Sequence, residues 1–151
     1  MFYKAIKLGY IDPEKSVMIG IRTHHTYMDT LGVTIIDINE ILEIGNKQVA
    51  RKVKEIVGNN ITYLSFDIDC LDPAFAPGTS TPVCGGISSR DALTMIRSLS
   101  GINMVGGDIV EYSPNLDSQN ITALLCGQIL RDMKCLWAFN RFNMTKVGDE
   151  A

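Results

Sequence analysis

ITYLSFDID, residues 61–69, is the stretch whose reading decides the fold. It is almost wholly apolar, aromatic or β-branched until it ends in two aspartates, the pattern of a buried strand running out to the carboxyl edge of a sheet. In open α/β sheets, ligands bind beyond those carboxyl ends. Alternate residues of a strand point to one face, so Asp67 and Asp69 can aim both carboxylates at a single point. Two such groups repel, and one of them would keep its proton. A hard divalent cation, Mg²⁺ or Mn²⁺, removes that penalty through oxygen ligation. A helix N-cap or a surface acidic turn is the plainer use of the same D-x-D.

Working outward, residues 70–87 form a long loop rich in Pro, Gly, Ser and Thr. A loop of that length is costly to order and, beyond an acidic strand end, points to function. Ser88 begins a helix with Asp91 three residues on, a capping box with Asp in place of Glu. Ala92, Leu93, Ile96 and Leu99 face inward, and Gly101 closes it. Residues 102–110 form the next strand and again turn acidic, with Asp108 and then Glu111, a residue placed to pair with a cationic substrate or to sit solvated in a loop. Asp117 or Ser118 starts a last helix to about Met133, with Ile121, Leu124, Leu125 and Ile129 on its buried face; residues 135–139 form a short strand or packed tail. Upstream, residues 2–9 make a short helix, 17–22 and 33–38 read as buried strands, and Asn46 caps a helix that ends at Gly58. Strands alternating with helices predict an α/β fold: a three-layer, mostly parallel sheet flanked by helices, in a single domain spanning 1–151.

The composition is that of a globular protein, 46% hydrophobic and 21% charged, with a net charge of −3. No basic field is present to gather phosphates, so no nucleic acid is expected as a partner. No apolar run is long enough to cross a bilayer and the N-terminus is too polar for a signal peptide, so no membrane association and a cytoplasmic location are expected. The four cysteines, Cys70, Cys84, Cys126 and Cys135, show no C-x-x-C spacing. They fit reduced, mostly buried thiols.

On spacing alone, a haloacid-dehalogenase-type phosphatase also ends a strand in D-x-D. There the motif usually lies near the N-terminus and is followed by a small residue and Thr; here it is mid-chain and followed by Cys70 and Leu71. The longer run SFDIDCLDPAFAPGTSTPVCGGISSRDAL resembles the signature of the arginase/agmatinase (ureohydrolase) family. VGGDIVEYSP resembles that family's later strand, ITALLCGQILRDM its terminal helix, and MFYKAIKLGYIDPEKSVMIGIR the stretch after its catalytic His-Gly-Thr loop. The resemblance covers essentially the whole chain, lies within the agmatinase branch, and implies a partial arginase-like fold, the C-terminal half of a ureohydrolase-like domain.

That resemblance implies roles by position. Asp67 would bridge two Mn²⁺ ions and Asp69 would bind one of them. Glu111 would anchor the guanidinium of a small guanidino substrate such as agmatine, and Thr81 would line the site beside it, these two serving catalysis as well as binding. Asp108 would orient a histidine ligand without touching the metal. Gly85 and Gly86 would let the loop run close to other backbone. The implied reaction is hydrolysis of the guanidino group to urea and an amine. The family's histidine ligands and its Asp-x-His-x-Asp segment have no counterpart here, and the adjacent His24 and His25 fall in a variable loop. The chain is therefore expected to lack a complete ligand set and to be inactive alone. It is expected to oligomerise with itself or to pair with a complementing N-terminal half, the alternative being a non-catalytic interaction module.

Overall fold

In the computed structural model, which describes residues 2–23 and 30–148, the strands pair two by two and each pair is parallel. β1 (Val17–Ile21) pairs with β2 (Thr34–Asp37), and β3 (Thr62–Asp67) pairs with β4 (Met104–Val110). The expected α/β architecture with parallel strands flanked by helices is what the chain adopts, although the strands form two ladders rather than one. After a register shift between Thr62 and Tyr63, β3 and β4 stay in register to their carboxyl ends, with Asp67 opposite Val110. Both acidic termini therefore leave the sheet at the same edge.

The helices follow from local capping. α1 (Phe2–Lys7) closes just before Gly9. α2 (Ile38–Ile44), which the apolar run at 33–38 concealed, starts directly from β2 because Asp37 accepts the Glu40 amide at 2.9 Å. α3 (Asn46–Val57) starts from Gly45, not from a cap at Asn46. The Asn46 side chain is used elsewhere, donating to Asp91 Oδ1 at 2.7 Å and tying α3 to α4 (Ser89–Ser98). The Ser88–Asp91 capping box forms as expected.

α5 (Ile121–Gly148) corrects two expectations. It does not stop near Met133; no proline interrupts it, and residues 135–139 continue the helix rather than forming a strand or tail. Its buried face is Thr122, Leu125, Cys126, Ile129, Met133 and Leu136, while Ile121 and Leu124 are exposed. That stripe keeps the helical period, and Leu124 lies off it. The helix begins later than Asp117, yet Asp117 still caps it, accepting the Thr122 and Ala123 amides at 3.2 and 2.8 Å. Burial works against the charge of Asp117, but those amide donations outweigh it and hold its pKa below the usual carboxylate range. The core runs from Val49 and Val53 of α3 through Met95 and Ile96 of α4 to Ile129 and Met133 of α5.

Thr122 occupies an inner position for a polar reason. Fully buried, it accepts the Gly78 amide at 2.8 Å and so fastens the start of α5 to the long loop after β3. Thr122→Val keeps the shape and strands that amide. Urea unfolding is expected to show a loss of about 1–3 kcal/mol, with Thr122→Ser losing less because its hydroxyl still accepts.

Candidate active site

The site starts from the end of β3. Asp67 is the last strand residue and also caps the 3₁₀ turn Ile68–Cys70, its Oδ1 accepting the Asp69 amide at 3.1 Å. The strand expected over 61–69 thus ends at Asp67, and a turn, not strand alternation, sets where Asp69 points. The cap reading of D-x-D holds, with Asp67 as the cap. Between the two acids, Ile68 is fully buried and anchors the turn in the core.

The two carboxyls are close enough to act on each other. Burial pushes the Asp67 pKa up to about 6; the Asp69 amide pulls the other way, and the charges of Asp69 and Glu111 add to the rise. Asp69 Oδ2 in turn accepts from Thr81 Oγ1 at 3.3 Å. Asp67, Asp69, Thr81 and Glu111 are therefore brought to one edge. Beside them, burial and then the Asp67 and Asp69 charges push the Cys70 thiol up to about 12, which removes it as a nucleophile or thiolate ligand at neutral pH.

Glu111 follows β4 directly and has φ +63°. A non-glycine residue in this region is uncommon and costs energy, and such residues gather at functional sites. No sequence signal marked that backbone conformation. The chain then returns to the loop through a Thr79–Tyr112 bridge and the Ser113 amide, which donates to Gly78 O at 2.8 Å. Asp108 Oδ2 accepts from the Tyr63 hydroxyl at 3.0 Å, while its Oδ1 is buried without a hydrogen-bond partner among the described residues.

The loop is cinched at its base. The Asp72 amide donates to Ile87 O at 3.0 Å and the Ile87 amide to Cys70 O at 3.2 Å. Asp72 Oδ2 accepts the Gly85 amide at 2.7 Å; amide donations from Ala74 and Gly85 hold the Asp72 carboxyl below the usual carboxylate range. Gly86 is a close-approach position, since a Cβ there would meet the Asp72 amide and Leu71 carbonyl carbon. Gly85 differs from that expectation: it has φ +82° with open space around it, so turn geometry and not crowding asks for glycine. Sequence reading missed Arg22, whose guanidinium reaches the carbonyls of Asp69 and Val83, both at 2.6 Å.

The oxygen donors present suit a hard cation in kind, and the crowding at Asp67 is the kind a cation relieves. In number they fall short: among the described residues, no group of three or more His, Cys, Asp or Glu is placed to hold a metal ion. His24 and His25 lie outside the described residues. All four cysteines are free, and no helix among the described residues is long and apolar enough to cross a membrane.

Comparison with known proteins places these features in a family. The model of the arginase family matches residues 1–135. An agmatinase from Neisseria meningitidis is 50% identical over 133 residues, covering 88% of this chain and 43% of the relative. The crystal structure of a hypothetical agmatinase from Burkholderia thailandensis aligns with a TM-score of 0.89 at 46% identity, over 94% of this chain and 45% of that one. Proclavaminate amidino hydrolase from Streptomyces clavuligerus aligns with a TM-score of 0.85 at 39% identity, over 93% and 47%. The chain spans less than half the length of each.

The raised Asp67 pKa has a definite sign. An unfolded aspartate titrates near 3.9, so between about pH 4 and 6 the folded chain binds the proton more tightly. The stability linked to that proton is full below about pH 4 and is lost as pH rises through about 6. Asp67→Asn, measured without metal, is expected to raise the thermal midpoint above wild type at pH 8 and to show a much smaller gain at pH 4. An equal gain at both pH values would contradict a raised Asp67 pKa.

Proposed function

This chain belongs to the arginase family, and we propose that its residues supply the acidic, substrate-facing part of an agmatinase-like ureohydrolase site that a further segment completes. The observation that carries the reading is the gathering of Asp67, Asp69 and Glu111 at one carboxyl edge, close enough that their charges reinforce the proton held by Asp67. Family membership displaces the phosphatase reading of the same D-x-D.

In this reading Asp67 and Asp69 would hold divalent cations, Mn²⁺ in the family, together with ligands from the completing segment. When bound, such ions supply an attacking water of lowered pKa. Thr81 fixes Asp69 by donating to its Oδ2. Glu111, held at the rim by its left-handed backbone, offers a charge-assisted, bidentate partner to a guanidinium. The free oxygen of Asp108 accepts an imidazole N–H and so orients a histidine from outside the described residues. Water adds at the guanidinium carbon, a C–O bond forms, the C–N bond to the carbon chain breaks, and the nitrogen leaves protonated as an amine while urea remains.

The shortfall of ligands within the described residues, with relatives more than twice as long, supports completion by a complementing N-terminal half, with assembly into an oligomer. The same shortfall favours one other reading, a non-catalytic interaction module. Relatives bear the names agmatinase and proclavaminate amidino hydrolase; agmatine and related guanidino compounds therefore form the substrate class. The free thiols suit a cytoplasmic setting.

Mn²⁺ calorimetry on the purified chain, with urea release from agmatine on the same sample, tests this directly. The chain alone should bind no Mn²⁺ tightly and release no urea. Mixed with the N-terminal half of an agmatinase relative, it should do both, and Asp67→Asn or Asp69→Asn should abolish turnover. In the mixture, Glu111→Gln should lower kcat/KM roughly 10- to 100-fold, the worth of a hydrogen bond to a charged group. Two tightly bound ions with turnover by the chain alone would show that completion is unnecessary. A stable mixed complex without urea would favour the interaction module.

A further inference from the structure

Arg22 lies one residue beyond β1, next to a bulge at Gly20, and crosses to the other pair of strands. Its Nε and Nη2 donate to Val83 O at 3.1 and 2.6 Å. Nη2 also donates to Asp69 O at 2.6 Å and, more weakly, to Leu71 O at 3.4 Å, and Nη1 reaches Cys70 O at 3.3 Å. All these partners are main-chain carbonyls. Three of them follow the end of β3 on the outgoing limb of the loop, and the fourth, Val83, lies on the returning limb.

Those limbs carry two residues of the candidate site. Asp69 is on the outgoing one; Thr81, two residues before Val83, is on the returning one. Their side chains meet through a single 3.3 Å hydrogen bond, too weak by itself to order the segment between them. The other ties sit elsewhere. The Asp72 and Ile87 bonds close the base of the loop, and the Gly78, Thr79 and Ser113 contacts fasten its far end to α5 and to the chain after β4. Between Ser80 and Cys84, the Arg22 fork makes the shortest link back to the β3 end among the described residues.

We infer that Arg22 is a positioning residue for the candidate site, holding Asp69 and Thr81 in mutual register by clamping carbonyls from both limbs of the 70–87 loop. Arginine suits the task because its planar group presents five donors and no acceptor, so one side chain spans acceptors in several directions. Lysine keeps the charge but lacks the separate Nε and Nη1 donors that reach Val83 O and Cys70 O, and its ammonium has no planar fork to fix their directions. The inference rests on the reading that Asp69 and Thr81 belong to the site, but its test uses neither metal nor substrate and can fail independently of that reading.

The test is NMR and amide exchange on the full 151-residue chain as wild type, Arg22→Lys and Arg22→Ala. In both variants the Asp69 carboxyl carbon and the Thr81 amide should shift, while the Asp91 carboxyl carbon, in the α4 capping box, stays in place. Exchange at Gly85 and Ile87 should rise at least about tenfold with α3 amides unchanged, as for local opening. A change in stability alone would leave the native Asp69 resonance where it was. Millimolar ethylguanidinium should restore the Arg22→Ala spectrum and ethylammonium should not. The inference is overturned if the Asp69 and Thr81 resonances stay put in both variants, if lysine or ethylammonium serves as well as the guanidinium, or if α3 protection collapses with the loop in Arg22→Lys. Should Arg22→Ala fail to fold, Arg22→Lys carries the comparison.

Discussion

Parallel pairing of β3 with β4 is the constraint on which the rest depends. Antiparallel partners would send their acidic ends to opposite edges; parallel register, Asp67 beside Val110, sends them to the same one. The result is a cluster of like charges, which is unfavourable by itself. The fold holds it by placing Ile68, fully buried, between Asp67 and Asp69. Burying such a side chain is worth about 1.5–3 kcal/mol, and it anchors the turn that carries both acids, each of them half-buried. The acidic edge is thus anchored by hydrophobic burial one residue away.

Much of the molecule was legible because chemistry and periodicity agreed. The run ending in Asp67 and Asp69 declared a strand and an acidic edge together. The Ser88–Asp91 box marked a helix start that formed as read. Legibility failed where a residue's partner lies far off in sequence. Asn46 resembled a cap, but Asp91 claims its side chain. Leu124 resembled core, but Thr122 takes the inner position because Gly78 needs an acceptor. Nothing local to Arg22 announces that its acceptors lie 47 to 61 residues onward. Nothing in the residue type of Glu111 foretells a left-handed backbone. At the site itself, the acids were legible as types, while the means of holding them were not.

The long loop is organised from three directions. Asp72 and Gly86 close its base, Thr122 and the Thr79–Tyr112 bridge fix its far limb, and Arg22 joins the limbs across the strand pairs. A segment that composition alone would class as irregular is therefore tied down at both its base and its far end. This fits a principle of sites in general: side chains that must meet a ligand are supported by groups that never touch it.

α5 carries a consequence of scale. At 1.5 Å per residue its 28 residues extend about 42 Å, whereas a compact chain of this length has a radius of gyration of roughly 15 Å, corresponding to a body slightly shorter than the helix. The helix outreaches the body it belongs to. Leu136 is its last core residue among the described side chains, and beyond it Phe139 and Phe142 stand exposed while Arg141 lies over the Trp137 ring at 5.5 Å. Past that residue the helix is a mast: its root is set among the side chains that support the acidic edge, and Phe139 and Phe142 on its upper turns face solvent. An isolated helix of so few turns is marginal in water, so the two ends of one continuous element should melt as separate units.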